Sequence, residues 1–140
     1  MLVERGVNII MQSGVPLPIL MGLKYHDDLV ARIEKATKLP ATSTVLSVVA
    51  AAKSLGIQNI ALANKWNPEM NKVLGMFFDR EGIRIAGISS RSMVPSESVK
   101  MKTEASLTLA HELGRAALAN NPDADGLYIW RRRVGDVSTH

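Results

Sequence analysis

The amino-acid sequence predicts an α/β protein, a three-layer α/β/α fold with a parallel sheet. Short apolar runs typical of buried strands alternate along the chain with segments of helical periodicity. Strands that alternate with helices favour a parallel sheet with helices on both of its faces. The length of 140 residues is enough for a hydrophobic core, and no apolar run reaches the roughly 18 residues that a membrane span needs.

Five segments are predicted as strands or short extended stretches. They are residues 7–11, 39–42, 57–63, 83–88 and 126–129. The run Ile60-Ala61-Leu62-Ala63 has no polar side chain, as expected of an interior parallel strand.

Four segments between these strands are predicted as helices. They are residues 25–37, 45–55, 68–81 and 103–119. Ser43 or Thr44 can cap the second of them, and Gly56 and Gly82 are predicted stop signals. Two prolines within residues 14–18 predict a loop, because proline removes a donor and restricts its predecessor. Residues 89–95 are also predicted as loop.

The charge and the composition restrict the classes of partner. The net charge is +4, and the excess positive charge is concentrated in the final ten residues. These contain three arginines, Arg131, Arg132 and Arg133, and one acidic residue, Asp136. We expect a solvated tail there and no nucleic-acid partner; nucleic-acid binding is the third-ranked alternative and predicts strong salt dependence. The chain has no cysteine, so it has no disulfide and no thiol nucleophile.

Six stretches together resemble a known family. They are VNIIMQSGVPLPILMG (7–22), DLVARIEKATKLPATST (28–44), AAKSLGIQNIALAN (51–64), NPEMN (67–71), GI (82–83) and DADG (123–126). In this order they resemble the aspartate/glutamate racemase superfamily, in the branch of arylmalonate decarboxylase and maleate isomerase. Members of that family are longer and have two similar α/β lobes with the active site between them.

The resemblance implies a division of this chain. Residues 1–38 would be the end of a first α/β lobe (strand, loop and helix), and residues 39–130 would be the second lobe. Residues 131–140 would be a disordered basic tail. By this comparison the chain would be a piece of the fold or a family member cut short.

The resemblance also implies the chemistry, which is proton transfer beside a carboxylate. Racemases of the family use two cysteines, and the decarboxylases use one and have a small residue at the first position. The two positions fall at Ser13-Gly14-Val15 and at Trp130-Arg131-Arg132, where this chain has no cysteine. The family's cleft tyrosine corresponds to Trp66, which keeps the ring and loses the phenol hydroxyl. No residue of this chain is assigned a catalytic role.

The residues expected to bind a small carboxylate lie just beyond strand ends, where ligands bind in open α/β sheets. They are Ser13, Gly14, Val15, Thr42, Ser43, Asn64 and Trp66. Gly14 is expected to leave backbone N–H groups open, and the hydroxyls at residues 42–44 lie beside a helix N-terminus. Two alternatives stay open: those hydroxyls could simply cap the helix, and Trp66 could be loop packing.

The histidines are not expected to take part. His26 and His111 are predicted at the surface, and no spacing of His, Asp and Glu indicates a metal site. We expect no metal, no cofactor and no membrane, a cytoplasmic location and a homo-oligomer. The first hypothesis for function is a decarboxylase, isomerase or racemase acting on small (di)carboxylates, incomplete or inactive as it stands. The second is a non-catalytic fragment that binds a small anion or self-associates.

Overall fold

The structure, a computed structural model, describes residues 3–130 except for the Pro95 side chain. After a single 3-10 turn (Val3–Arg5) the elements are β1 (Ile10–Gln12), α1 (Pro16–Thr37), β2 (Ala41–Ser43), α2 (Thr44–Ser54), β3 (Asn59–Asn64), α3 (Pro68–Asp79), β4 (Arg84–Ser90), α4 (Pro95–Lys100), α5 (Thr103–Asn120) and β5 (Gly126–Ile129). All strand pairs are parallel among the described residues, so the predicted α/β class is confirmed. The predicted basic tail, 131–140, lies outside them.

The chain divides into two compact units. The first combines residues 1–58 with 69–83, and the second combines residues 59–68 with 84–140. The expected boundary between the lobes lies between residues 38 and 39, so β2 and α2 come after it in the sequence. Both elements nevertheless belong to the first compact unit. The lobe boundary itself stays a prediction.

The first unit contains a two-stranded parallel sheet. Ile10 pairs with Ala41 and Gln12 pairs with Ser43, so β1 and β2 end at the same level. Helices α1 and α2 both pack against β2. Because parallel strands share a carboxyl edge, the residues after β1 lie beside the start of α2.

The loop predicted over residues 14–18 is correct for Gly14 and Val15 and wrong for residues 16–18, which are helical. Pro16 and Pro18 lie in the first turn of α1, where backbone N–H groups have no partner within the helix, so the donors that proline lacks are not missed. The helical periodicity from Tyr25 onward continues this helix. Gly22 interrupts it with φ 85° and ψ 170°, a backbone conformation that is essentially restricted to glycine.

The second unit is a three-stranded parallel sheet in the order β4-β3-β5. The central strand, β3, is almost fully buried, with Ala61 and Leu62 at 0% exposure. Helix α5 packs across all three strands. Two hydrogen bonds join the start of β5 to the start of β3. The Asp125 N–H donates to the Asn59 carbonyl oxygen, and the Asn59 N–H donates to Asp125 Oδ1.

The loop predicted for residues 89–95 is only partly correct. Strand β4 continues to Ser90, and the short helix α4 begins at Pro95. A proline at the first helical position suits a helix start, because its fixed φ is already helical. No helix within residues 3–130 is long and apolar enough to cross a membrane.

Candidate functional site

Five of the predicted site residues meet at the carboxyl ends of β1 and β2. We define the Gly14 cluster as residues 12–15 together with residues 42–44, all of which belong to the first unit. The turn after β1 is joined to the start of α2 by a hydrogen bond from the Gly14 N–H to Thr44 Oγ1, at 3.2 Å. Ser13 and Gly14 are exposed, Thr42 is half-buried, and Val15 is buried. This arrangement places hydroxyls and a glycine turn together.

The expectation that the Gly14 N–H is available to a ligand is wrong for this conformation, because this N–H donates to Thr44 Oγ1. The turn is further held by Gln12, whose Nε2 donates to the carbonyl oxygens of Ser13 and Gly14. Gln12 Oε1 is buried and has no hydrogen-bond partner among the described residues. Gly14 itself has φ 96°, which favours glycine at this position.

The alternative that a hydroxyl of residues 42–44 caps α2 is confirmed for Ser43. Its Oγ accepts a hydrogen bond from the Leu46 N–H at 3.1 Å, and the side chain has 0% exposure. The serine therefore satisfies one of the N–H groups at the start of α2 that have no acceptor within the helix. In the Gly14 cluster, Thr42 and Thr44 are more exposed than Ser43.

The predicted surface position of His26 is wrong. This residue lies in α1 with 0% exposure, and its Nε2 is 2.7 Å from Ser43 Oγ. His26 precedes Leu29 by three residues and Ile33 by seven, so the helical period already places it on the apolar face. His111 is exposed, as predicted.

The other two predicted residues lie at the carboxyl end of β3. We define the Lys65 cluster as residues 64–66 with Ser90, Ser98 and Trp130, all of the second unit. Asn64 Oδ1 accepts a hydrogen bond from the Trp66 N–H at 3.0 Å, which turns the chain after the strand. Ser90 Oγ lies within hydrogen-bonding distance of Asn64 Oδ1 and of the Trp66 carbonyl oxygen, at 3.0 and 2.6 Å.

Trp66 packs against Trp130. The ring centroids are 5.1 Å apart with an interplanar angle of 47°, and Trp66 is 6% exposed. The loop-packing alternative for Trp66 therefore has direct support from this contact. The Trp130 N–H also donates to the Ala63 carbonyl oxygen at 3.0 Å, so the end of β5 stays beside the end of β3.

Lys65 is a candidate that the sequence analysis missed. Its side chain is 5% exposed, its Nζ donates to Ser98 Oγ at 2.9 Å, and the same nitrogen lies 4.9 Å from the centroid of the Trp130 ring. Lysine is seldom buried, and a cation over an indole face is attracted by the ring electrons. A lysine directly after an apolar strand was the available signal.

Two surface depressions among the described residues, of about 340 and 470 Å³, lie elsewhere. The smaller is lined by α1 residues from Tyr25 to Lys35, and the larger by α5 residues from Leu107 to Arg115. Each is lined by a single helix and lies away from the strand ends. We assign no ligand to either depression.

Comparison with known proteins identifies the family. The model of the arylmalonate decarboxylase family matches residues 1–132. The chain belongs to this family, and the resemblance found in the sequence is confirmed.

The individual relatives extend this finding. Arylmalonate decarboxylase of Bordetella bronchiseptica is 25% identical over 126 residues, which is 90% of this chain and 51% of that protein. A crystal structure of arylmalonate decarboxylase has a TM-score of 0.73 at 24% identity and covers 90% of this chain and 54% of its own. The maleate isomerase of Pseudomonas putida S16 has a TM-score of 0.69 at 13% identity, with coverage of 90% and 51%. The chain thus spans about half the length of the relatives it matches, and it shares their fold.

Proposed function

We propose that this protein performs decarboxylase- or isomerase-type chemistry on small carboxylates and dicarboxylates. The observation that carries the proposal is the family match over residues 1–132. Arylmalonate decarboxylases and maleate isomerases are named for dicarboxylate substrates, and both are similar to this chain in fold. The reaction class we infer is proton transfer at the carbon beside a carboxylate.

Each cluster contributes groups suited to an anion. The Gly14 cluster offers the hydroxyls of Thr42 and Thr44 at the N-terminus of α2, where the helix dipole favours negative charge. The Lys65 cluster offers an ammonium group over the Trp130 ring, which in turn packs against Trp66. We propose Lys65 as a carboxylate-binding residue of the Lys65 cluster, together with Asn64 and Trp66. For the Gly14 cluster we keep five proposed carboxylate-binding residues, which are Ser13, Gly14, Val15, Thr42 and Ser43.

The reaction proposed for a substituted malonate releases carbon dioxide and consumes one proton. The bond from the central carbon to one carboxylate breaks, carbon dioxide leaves, and the electron pair stays as an enediolate. One proton then adds to that carbon and gives the monocarboxylate. The chain has no cysteine, so a thiol of this chain cannot supply the proton. Positive charge from Lys65 would stabilise the enediolate.

The test is incubation with 2-methyl-2-phenylmalonate in deuterated buffer, followed by proton NMR. We expect carbon dioxide release and deuterium at the carbon beside the remaining carboxylate. Maleate, aspartate and glutamate are assayed in parallel to define the substrate class. Lys53→Met removes the charge of an exposed lysine paired with Glu81. This variant is expected to react like the unaltered chain. Folded protein that neither decarboxylates nor exchanges protons with any compound would contradict a catalytic role.

A second candidate function is non-catalytic binding of a small anion. The absence of cysteine favours it, because the family chemistry that the resemblance implies depends on thiols. In that case the same substituted malonate binds and is recovered unchanged. The two functions are therefore distinguished in one experiment.

Self-association is part of the second candidate. Three large apolar side chains at the start of α1 are 46–67% exposed: Leu17, Leu20 and Met21. Exposed apolar surface of this kind favours contact with another copy. Sedimentation velocity measures the mass directly, and a concentration-independent monomer would contradict the homo-oligomer. The cytoplasmic location stays a prediction.

A further inference from the structure

The strongest unassigned feature of the first unit is the buried pair of His26 and Ser43. Both side chains have 0% exposure, and His26 Nε2 lies 2.7 Å from Ser43 Oγ. The same oxygen accepts the Leu46 N–H at the start of α2. A serine that is buried and bonded in this way does not present a nucleophile to a ligand. The pair instead connects α1 to the junction of β2 and α2.

The contacts of the imidazole favour one position for its ring proton. Ser43 has one hydroxyl hydrogen, and its oxygen already accepts from Leu46. If Nε2 accepts that hydrogen, then Nδ1 carries the ring proton and faces Asp27 Oδ1 at 3.5 Å. The opposite tautomer would place the lone pair of Nδ1 against the carboxylate. The network therefore favours a ring proton on Nδ1 of His26.

The surroundings hold the ring in this orientation. Phe77 packs against the imidazole edge-on, with ring centroids 5.1 Å apart and an angle of 89°. Arg80 binds Asp27 Oδ2 at 2.7 Å, so the carboxylate beside Nδ1 is itself held in place. These contacts all lie within the first unit. A ring restrained on both sides can serve as a fixed acceptor for Ser43.

We propose that His26 is a positioning residue that holds the Ser43 hydroxyl and thereby sets the Gly14 cluster. With Ser43 in place, α2 begins at Thr44, and Thr44 Oγ1 meets the Gly14 N–H at 3.2 Å. Loss of the His26 contact frees Ser43 to rotate and loosens the first turn of α2. That this turn serves a carboxylate rests on the proposed function; that His26 positions it does not.

Two substitutions of similar size test the contact. In His26→Gln the amide oxygen reaches the place of Nε2, whereas in His26→Asn the amide reaches only the place of Nδ1. The readout is hydrogen exchange of the Leu46 amide. We expect His26→Gln to retain protection and His26→Asn to lose about fivefold, the usual effect of a lost cap. Nitrogen NMR shifts of the unaltered chain report the tautomer and need no variant to fold.

A double-mutant cycle with Ser43→Ala tests whether His26 acts through Ser43. In the Ser43→Ala background, His26→Asn should cause no further loss of Leu46 protection. A proton on Nε2, equal effects of the Gln and Asn variants, or full additivity in the cycle would each overturn the proposal. The chain is also titrated with 2-methyl-2-phenylmalonate. Failure of the unaltered chain to bind would count against the proposed function alone, because the amide and imidazole readouts need no ligand.

Discussion

The Lys65 ammonium lies at the end of the central strand of the second unit, and its proposed role can be tested by one substitution. Lys65→Met keeps a long apolar stem and removes the charge. We expect the affinity for 2-methyl-2-phenylmalonate to fall roughly tenfold or more, because a charge-assisted hydrogen bond to a carboxylate is lost. Both tryptophans of the chain belong to the Lys65 cluster. Quenching of their fluorescence therefore measures binding at this cluster.

The control for this measurement is Lys53→Met. Lys53 is 64% exposed and pairs with Glu81, so its removal changes the net charge equally without touching the cluster. Equal weakening by the two variants would show that only overall charge matters. Unchanged affinity in Lys65→Met would remove Lys65 from the binding site.

Some residue positions follow from local chemistry and others do not. Ser43 as a helix cap is predictable, because a cap depends on its immediate neighbours. The bond between Gly14 and Thr44 spans 30 positions and depends on strand pairing, which no local pattern contains. The burial of Lys65 likewise depends on Ser98 and Trp130, which are far away in the sequence.

At the scale of elements, the approach of β4 to the end of α5 requires a glycine. A Cβ at Gly87 would lie 2.2–2.5 Å from three atoms of the Asn121 side chain. That side chain donates from Nδ2 to the Ala117 carbonyl oxygen at 2.8 Å. We expect Gly87→Ala to lower the free energy of unfolding by about 1–3 kcal/mol, because Asn121 must move and its hydrogen bond is lost. Urea denaturation measures this change.

Gly114→Ala is the matched comparison. Its Cβ would meet Ile129 Cδ1 at 2.9 Å, but this is the flexible end of a side chain, and alanine is the better helix former by about 1 kcal/mol. We expect a smaller loss than for Gly87→Ala. The reverse order of the two variants would contradict the packing described for α5.

The pairing of Arg84 at the start of β4 with Asp123 predicts a titration change. The Arg84 hydrogen bond at 2.7 Å, aided by a backbone hydrogen bond, holds the pKa of Asp123 below 3.8. Because the folded pKa is the lower one, the stabilisation is present above pH 3.8 and is lost as the pH falls through the folded pKa. Arg84→Gln should raise the pKa of Asp123, as measured by carbon NMR of its carboxyl group.

The control for this titration is Arg80→Gln. Arg80 pairs with Asp27 in the first unit, so the pKa of Asp123 should not change. An unaltered pKa of Asp123 in Arg84→Gln would show that the guanidinium is not the cause.

The elements themselves were largely predictable from the sequence. Periodicity and stop signals locate α2, α3, α5 and β5, because these depend on local spacing and on residues such as Gly56 and Gly82. The start of α1 was missed because prolines that break a helix interior are compatible with its first turn. Residues 95–100 were missed because a six-residue helix has too few turns to show a period.

At the scale of the whole molecule, the parallel α/β architecture was predictable and the grouping into units was not. The alternation of strands and helices is enough to favour parallel sheets. The first unit, however, includes residues 69–83 after a gap of ten residues, a grouping that arises from packing alone. Family membership supports the proposed reaction class, and the chain spans about half the length of its relatives.

The central claim is that residues at the carboxyl ends of the strands bind a small carboxylate. The most direct test is a titration of nitrogen-15-labelled chain with 2-methyl-2-phenylmalonate, followed by amide chemical shifts. We predict saturable shifts at residues 13–15, 42–44 and 64–66, and none with the neutral dimethyl ester. The claim is contradicted if these amides do not respond, or if the shifts are confined to Arg131, Arg132 and Arg133 and disappear with added salt.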